Sequence, residues 1–243
     1  MIRQPDLSIV VPVRDEEDNL RPLTDEVAAA LATAPFTWEL ILVDDGSTDG
    51  SREVMRDLEA ERIWVRSVVL DRNHGQTAAL DAGWRRSAGR YLASMDADLQ
   101  NDPADFIPLW RRINESDGSV DMVAGVRARR RDGIWKRLQS RIGNGVRNLI
   151  TGETITDTGC SMKMMKRECL DRVILFQGMH RFLPTLVRMQ GYQVVEMAVN
   201  HRHRRFGQTK YGMWDRAWRG LVDCIAIRWM KSRHPSYRVQ EKE

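Results

Sequence analysis

The stretch Tyr91-Leu-Ala-Ser-Met-Asp-Ala-Asp-Leu-Gln-Asn-Asp-Pro103 limits what this chain can be more than any other. An apolar run suited to a buried strand ends at Met95, Asp96 and Asp98 follow with one residue between them, and Pro103 stops the extended segment. Carboxylates placed directly after a buried strand belong at its carboxyl end, which in an open α/β sheet faces the ligand crevice. Two oxygen-bearing side chains there suit a divalent cation that keeps waters and substrate phosphates as its other ligands. The stretch therefore reads as a metal and diphosphate site. The plain alternative is a solvated acidic turn, which is commoner for an isolated Asp-x-Asp, so the reading rests on its neighbours.

Those neighbours repeat one layout. Leu7-Ser-Ile-Val-Val-Pro-Val13 is a short β-branched run of the central-strand type, and Arg14-Asp-Glu-Glu-Asp-Asn19 makes an acidic turn into a helix with Leu20, Leu23, Val27 and Leu31 at helical spacing. Trp38–Val43 predicts a second strand running into Asp44-Asp-Gly-Ser-Thr-Asp-Gly50, then a helix with Val54 and Leu58. Asp45, Ser47, Asp49 and Gly50 match the opening of a calcium-binding EF-hand loop, but its twelfth position is Arg56, not a bidentate acid, and a strand precedes it. Strand, acids, glycines and helix instead describe a nucleotide site, where carboxylates accept hydrogen bonds from ribose or base. Val65–Leu70 predicts a third strand, and residues 73–83 a turn and a small-residue helix without a complete P-loop or Gly-x-Gly-x-x-Gly fingerprint. Three βα repeats and a fourth acid-tipped strand predict a mostly parallel α/β sheet flanked by helices, with Asp44, Asp45, Asp96 and Asp98 meeting in one crevice.

The 243 residues allow one large α/β domain, and no linker forces a split. The formal charge of +4 is uneven, crowding after Arg127 and again after Arg202, which points to an anionic partner: a nucleotide, a phospholipid surface, a phosphorylated lipid or nucleic acid. Cys160, Cys169 and Cys224 lack paired metal-ligand spacing and read as reduced thiols of a cytosolic setting. The N-terminus shows no secretory pattern, and no run reaches the roughly 18 apolar residues of a membrane span. Work at a membrane would then be done from its surface or through a partner.

Ile9-Val-Val-Pro-Val-Arg-Asp-Glu-Glu-Asp-Asn-Leu20, Val43-Asp-Asp-Gly-Ser-Thr-Asp-Gly50 and Asp96-Ala-Asp-Leu-Gln-Asn-Asp-Pro103 together resemble the inverting family 2 glycosyltransferases of GT-A fold. The likeness is nearest to the branch of dolichyl-phosphate mannose synthase and the bacterial polyprenyl-phosphate glycosyltransferases, and it extends through Asp157-Thr-Gly-Cys-Ser161, His180-Arg-Phe-Leu-Pro184 and Arg204-Arg-Phe-Gly-Gln-Thr-Lys-Tyr211. The resemblance implies that Pro12, Glu16, Asp44 and Asp45 hold the nucleoside of a GDP- or UDP-linked sugar. It implies that Asp96 and Asp98 hold Mg2+ or Mn2+ and the diphosphate, and that Gln100 borders the sugar. Arg127 becomes a phosphate contact, Arg204, Lys210 and Arg181 contacts for an acceptor phosphate, and Asp157 either a base or an orienting residue. Arg14 and Asp15 depart from the usual tyrosine and asparagine, leaving base recognition open, and Thr209 replaces a usual serine. On this reading residues 1–212 form the catalytic domain, nucleotide half to about 125 and acceptor half beyond, and residues 213–243 an amphipathic helix with a polar tail.

Two stretches bear on the acceptor. From Arg127 to Arg147 cations interleave with Ile134, Trp135, Leu138, Ile142 and Val146, and from Met213 to Met230 Trp214, Trp218, Leu221, Ile225 and Trp229 form a stripe beside Arg216, Arg219, Arg228 and Lys231. Each fits an interfacial helix on anionic lipid or a basic surface helix packed on the core. His201 and His203 alternate without the further ligands a zinc site needs. The expected activity is transfer of a sugar from a nucleotide onto a polyprenyl phosphate with inversion, by a peripheral protein on the inner face of the cytoplasmic membrane. Interfacial helices, a homo-oligomer or a separate membrane protein would hold it there. A related transferase with a polysaccharide or protein acceptor is the alternative within the family. A nucleic-acid-binding module is the alternative outside it, and no base-reading motif supports that one.

Overall fold

The computed structural model describes residues 4–127, 145, 147–171, 173–202 and 213–234, with side chains of the last segment described from Gly220 onward. Among the described residues seven strands form one sheet: β1 (Leu7–Val13), β2 (Trp38–Asp44), β3 (Val65–Val69), β4 (Tyr91–Ser94), β5 (Met122–Arg127), β6 (Lys163–Lys166) and β7 (Val194–Val199). Their order is β3-β2-β1-β4-β6-β5-β7, and β6 alone runs antiparallel to its neighbours. The expected mostly parallel sheet is thus present, and its first three strands start where the apolar runs start. β4 stops one residue short of the expected Met95, whose N–H nevertheless reaches the Val10 carbonyl at 3.3 Å.

The apolar runs are continuous because both faces of the sheet are covered. Ile9, Val11, Leu40 and Leu42 face one side, where α1 (Glu17–Leu31) brings the whole stripe of Leu20, Leu23, Val27 and Leu31, and α2 (Ser51–Glu61) brings Met55 and Leu58. Phe106, Leu109 and Ile113 of α4 (Phe106–Asn114) complete that layer. Val10, Ile41 and Val43 face the other side, against Ala79, Leu80 and Trp84 of α3 (Gln76–Arg86) and Leu183, Leu186 and Val187 of α5 (Leu183–Met189). Since β1 lies between β2 and β4, the winding reverses there, and the carboxyl ends of β1 and β4 open a crevice at the switch.

The last helix, α6 (Met213–Arg233), packs on this second layer through Cys224 and Ile227. Leu221, Val222, Ile225 and Trp229 are 37%, 48%, 56% and 64% exposed, so over its described part the apolar stripe read from the sequence is the outer face. The Arg228 guanidinium donates to the Ile150 carbonyl, and the Lys231 ammonium to the Glu153 carboxylate at 2.9 Å, which docks the helix on the 150–153 segment. The side chains of Trp214, Arg216, Trp218 and Arg219, and the basic stretch over 128–144 with Val146, lie outside the described residues. Arg147, at the end of that stretch, is turned inward, donating to Thr158 Oγ1 and the Ile155 carbonyl at 2.6 Å each. No helix of the described residues is long and apolar enough to cross a membrane.

Two helical glycines have opposite surroundings. A methyl at Gly83 of α3 would collide with Val10 of β1 and stand 2.9 Å from Val43 of β2, whereas among the described residues nothing lies within 4 Å of one at Gly220 in α6. Gly83→Ala should lower unfolding free energy by about 1–3 kcal/mol through overpacking. Gly220→Ala should raise it by about 0.5–1 kcal/mol through helix propensity. Equilibrium urea melts of the two variants check the opposite signs.

Candidate active site

The crevice at the switch point has a volume of about 730 Å3, and Asp96 and Asp98 both line it. Asp96 follows β4 directly, and its environment is built to hold it. Asn101 Oδ1 accepts the Asp96 N–H at 3.1 Å and the Ser161 hydroxyl at 2.9 Å, and Gln76 Nε2 donates to Asp96 Oδ1 at 2.9 Å. Between the acids and that tether, Leu99 is buried in the left-handed region at φ +61°, a conformation costly for a β-carbon-bearing residue and common where a chain aims functional groups. Burial, then the neighbouring Asp98 charge, push the Asp96 carboxyl above its ordinary value. Such a pair gains most from a cation, which relieves both causes at once. The described residues contain no group of three or more His, Cys, Asp or Glu able to hold a metal, so the pair offers two protein ligands and leaves the rest to water and phosphate. That donor set fits Mg2+ or Mn2+.

The loops that follow β1 and β2 interlock. The Thr48 N–H donates to Asp15 Oδ1 at 2.7 Å, the Asp15 N–H to Ser47 Oγ at 3.0 Å, the Glu16 N–H to Ser51 Oγ at 2.9 Å and the Gly50 N–H to Glu17 Oε2 at 2.9 Å. Asp15, one of the departures noted above, is therefore a loop clamp in the left-handed region at φ +49°. Of the residues expected at the nucleoside, Pro12, Glu16 and Asp45 line the crevice, and Arg14 lines it beside them. Asp45 accepts the N–H groups of His74 at 2.6 Å and Gly75 at 2.9 Å, at the start of α3. Asp44 sits differently: fully buried, it accepts the Ser47 N–H at 2.9 Å and Arg52 Nε at 2.6 Å and does not line the crevice. A carboxylate closed in this way shapes the loop and has no face for a nucleoside.

Arg127, Gln100 and Arg181 line the crevice, and Asp157 does not. Arg127 Nε and Nη2 both donate to the Asp157 carboxylate at 2.7 Å, joined by the Arg127 N–H at 3.2 Å. Burial alone would lower the Arg127 guanidinium, but the Asp157 carboxylate outweighs it and holds Arg127 above its ordinary value. A carboxylate held in a two-pronged ion pair is a poor proton acceptor, so of the two roles left open for Asp157 its surroundings favour orientation, with Arg127 as the group oriented. The chain leaving β7 is tied to the acidic segment as well. Asp105 accepts the Asn200 N–H at 2.6 Å, the Gln100 carbonyl accepts the Arg202 N–H at 2.8 Å, and Arg202 pairs with Glu26 at 2.6 Å and Asp102 at 2.9 Å. Arg204 and Lys210, next along, lie outside the described residues, as do His203 and Thr209.

Four crevice-facing or supporting residues carried no signal in the sequence: Gln76, Asn101 in its tethering role, Lys163 and Trp84. His180 lines the crevice and meets Thr77 Oγ1 through Nδ1 at 2.7 Å, while that oxygen accepts the Gly178 N–H at 3.0 Å. Burial, helped by the positive charges of Lys163 and Arg181, pushes His180 down to about 3. A histidine lowered in the folded state leaves the unfolded chain as the better proton binder, so its contribution is whole above the unfolded value near 6.5 and fades as pH falls toward 3. Between pH 7 and 5 the native chain should therefore lose about 2 kcal/mol more stability than His180→Gln. Urea melts at the two pH values measure the difference, and equal losses would contradict it.

Over residues 8–174 the chain matches the family model described as Glycosyl transferase family 2. It is 39% identical over 226 residues to a dodecaprenyl-phosphate galacturonate synthase of Rhizobium johnstonii, covering 91% of this chain and 66% of that one. It is 35% identical over 227 residues to an undecaprenyl-phosphate 4-deoxy-4-formamido-L-arabinose transferase of Klebsiella pneumoniae, covering 90% and 67%. The chain thus spans about two thirds of the length of these relatives. Among solved structures, a glucosyl-3-phosphoglycerate synthase from Mycobacterium tuberculosis with Mg2+ and UDP superposes with a TM-score of 0.68 at 19% identity, covering 92% of this chain and 80% of that one. A mannosyltransferase from Pyrobaculum calidifontis with GDP-mannose and Mn2+ superposes with a TM-score of 0.64 at 17% identity, covering 97% and 66%. At these identities the structural likeness is one of fold. With the family model matched from β1 past β6 and relatives above one third identical along nine tenths of its length, this chain belongs to glycosyltransferase family 2 and has the GT-A fold.

Proposed function

We propose that this protein transfers a sugar from a nucleoside diphosphate onto a polyprenyl phosphate with inversion at the anomeric carbon, working from the cytoplasmic face of a membrane. The observation that carries the reading is that two relatives with different sugars in their names, a galacturonate and a formamido-arabinose, share a polyprenyl phosphate. The sugar varies and the lipid phosphate stays. The nucleoside lies against Pro12, Glu16 and Asp45, and the diphosphate lies at Asp96 and Asp98. These two acids hold Mg2+ or Mn2+, which when bound neutralises charge growing on the leaving diphosphate.

The protein's own residues do the positioning. Gln76 and Asn101 fix Asp96, Leu99 aims Asp98, and Asp157 sets the plane of the Arg127 guanidinium toward phosphate oxygens. The acceptor phosphate is ionised at neutral pH and attacks without a strong base, in keeping with an Asp157 engaged by Arg127. Arg181, on the crevice wall, and Arg204 and Lys210, which follow the segment tied to Gln100 and Asp102, complement the acceptor's charge. The outward Leu221, Ile225 and Trp229 of α6 enter the lipid interface beside Lys231 and Arg233, bringing the crevice to a lipid that cannot leave the membrane.

Purified protein incubated with Mg2+, labelled UDP- or GDP-sugars and a short polyprenyl phosphate should deliver label to an organic extract. Chelator, or Asp98→Ala, should cut that label at least a thousandfold with the fold intact by circular dichroism. Donor hydrolysis with no labelled lipid would point to a polysaccharide or protein acceptor instead. The double variant Ile225→Glu/Trp229→Glu should lose at least tenfold in co-sedimentation with phosphatidylglycerol-containing vesicles while melting within a few degrees of the native chain, since each side chain contributes about 1.5–3 kcal/mol on burial. Unchanged sedimentation would remove α6 from the interface.

A further inference from the structure

The crevice that holds the acid pair is also walled by β4, β6, α3 and the turn that carries His180, through Leu80, Trp84, Ser94, Lys163, His180 and Leu183. Lys163 is the cross-strand partner of Ser94 and is only 5% exposed, so a buried lysine amine borders the same crevice as the acid pair. Among the described residues it donates to the Cys160 carbonyl and forms no ion pair. An ammonium has three donors, and a buried cation without a paired anion is costly unless a ligand supplies one. Asp96 and Asp157 act on it only through space, and they are already engaged by Gln76 and Arg127.

A second polar group on this wall of the crevice is His180. Thr77 Oγ1 accepts the Gly178 N–H, and its own proton is directed to His180 Nδ1, which leaves Nε2–H as the donor of a neutral ring. The Ser94 hydroxyl donates to the Ser161 carbonyl at 2.6 Å and is occupied. One cation and one neutral donor, with apolar walls, suit a small group that only accepts and is negative. Strand order says which part of a donor reaches it. Asp45 follows β2, Glu16 follows β1, Asp96 follows β4, and Lys163 starts β6, the next strand across. At about 4.8 Å per strand, a donor with its nucleoside at the first two and its diphosphate at the third carries its sugar to the fourth.

We propose that Lys163 and His180 form an anion subsite for a carboxylate on the donor sugar, so that the substrate is a nucleoside-diphosphate uronic acid. The inference rests on the sugar-transfer reading above and names the class of sugar. The carboxylate takes two donors, Lys163 Nζ and His180 Nε2–H, in a space where low polarity strengthens the pairing, whereas a neutral hydroxymethyl group leaves the ammonium unpaired.

Calorimetric titration of the whole chain in Mg2+ separates this subsite from the acceptor. The probes are UDP-galacturonate against UDP-galactose, UDP-glucuronate against UDP-glucose, and GDP-mannuronate against GDP-mannose, with UDP and GDP alone as references. In at least one pair the uronate should bind at least tenfold tighter than its neutral partner. Lys163→Met should abolish that preference, weakening the uronate at least tenfold more than the neutral sugar or the bare nucleoside diphosphate, Lys163→Arg should keep most of it, and His180→Asn should reduce it severalfold. Equal or weaker binding of every uronate, or a Lys163→Met loss equal for uronate, neutral sugar and bare diphosphate, would overturn the subsite. The preference in the native chain decides the matter even if Lys163→Met fails to fold. Uronate preference without lipid labelling would keep the subsite and defeat the polyprenyl acceptor; neutral-sugar transfer to lipid without uronate preference would do the reverse.

Discussion

A pair of carboxylates at the end of β4 governs the architecture of the site. Asp98 is buried and Asp96 half-buried beside it, and charges so placed need hydrogen bonds, cations or both. Each support comes from a different element: Gln76 from the first turn of α3, Asn101 from the loop beyond, and Lys163, acting through space, from β6. These supports are incomplete by design of the topology. Asp98 and Lys163 line the same crevice, so it carries side chains of opposite charge.

The same economy appears in the way distant motifs clamp one another. The acidic turn after β1 and the acid-glycine loop after β2 exchange side-chain-to-backbone hydrogen bonds through Asp15, Ser47, Glu17 and Ser51. The segment 98–105 is stitched to residues 200–202 through Asp105, Gln100 and Asp102. Loops carrying ligands gain precision when their backbone donors and acceptors are all engaged by neighbours, because the freedom lost on binding has already been lost on folding. Asp44 and Asp157 belong to this clamping work, one on Arg52 and Ser47, the other on Arg127.

The crevice and the exposed apolar stripe of α6 belong to different parts of the fold. The crevice opens at the carboxyl ends of the strands, whereas the outward apolar residues of α6 stand on a helix laid over the α3–α5 layer. The inner face of α6 is anchored by Cys224, Ile227 and the Lys231–Glu153 pair, so exposing Leu221, Ile225 and Trp229 does not weaken the core. An exposed apolar stripe flanked by cations costs solvation in water and regains it in a headgroup layer.

Much of this was legible in the chain itself. Short β-branched runs followed by acids predicted the parallel sheet and its active edge, because periodicity and turn chemistry are local properties. The helical stripe of Leu20, Leu23, Val27 and Leu31 fell on the core without exception. The stripe on α6 was visible but its direction was not, since amphipathic spacing is identical for a core-facing and a lipid-facing helix until a neighbour covers one side. The acids likewise looked equivalent, yet Asp45 faces the crevice and Asp44 does not, because alternate residues at a strand end point to opposite sides. Lys163 lay unremarked in a short strand, and only its antiparallel pairing with β4, opposite Ser94, brought it to the crevice that holds the acid pair. Sequence alone determined the elements and the chemistry available at their ends; tertiary structure decided which of those groups share one low-dielectric space, because burial and charge pairing are properties of neighbours in space that chain order does not encode locally.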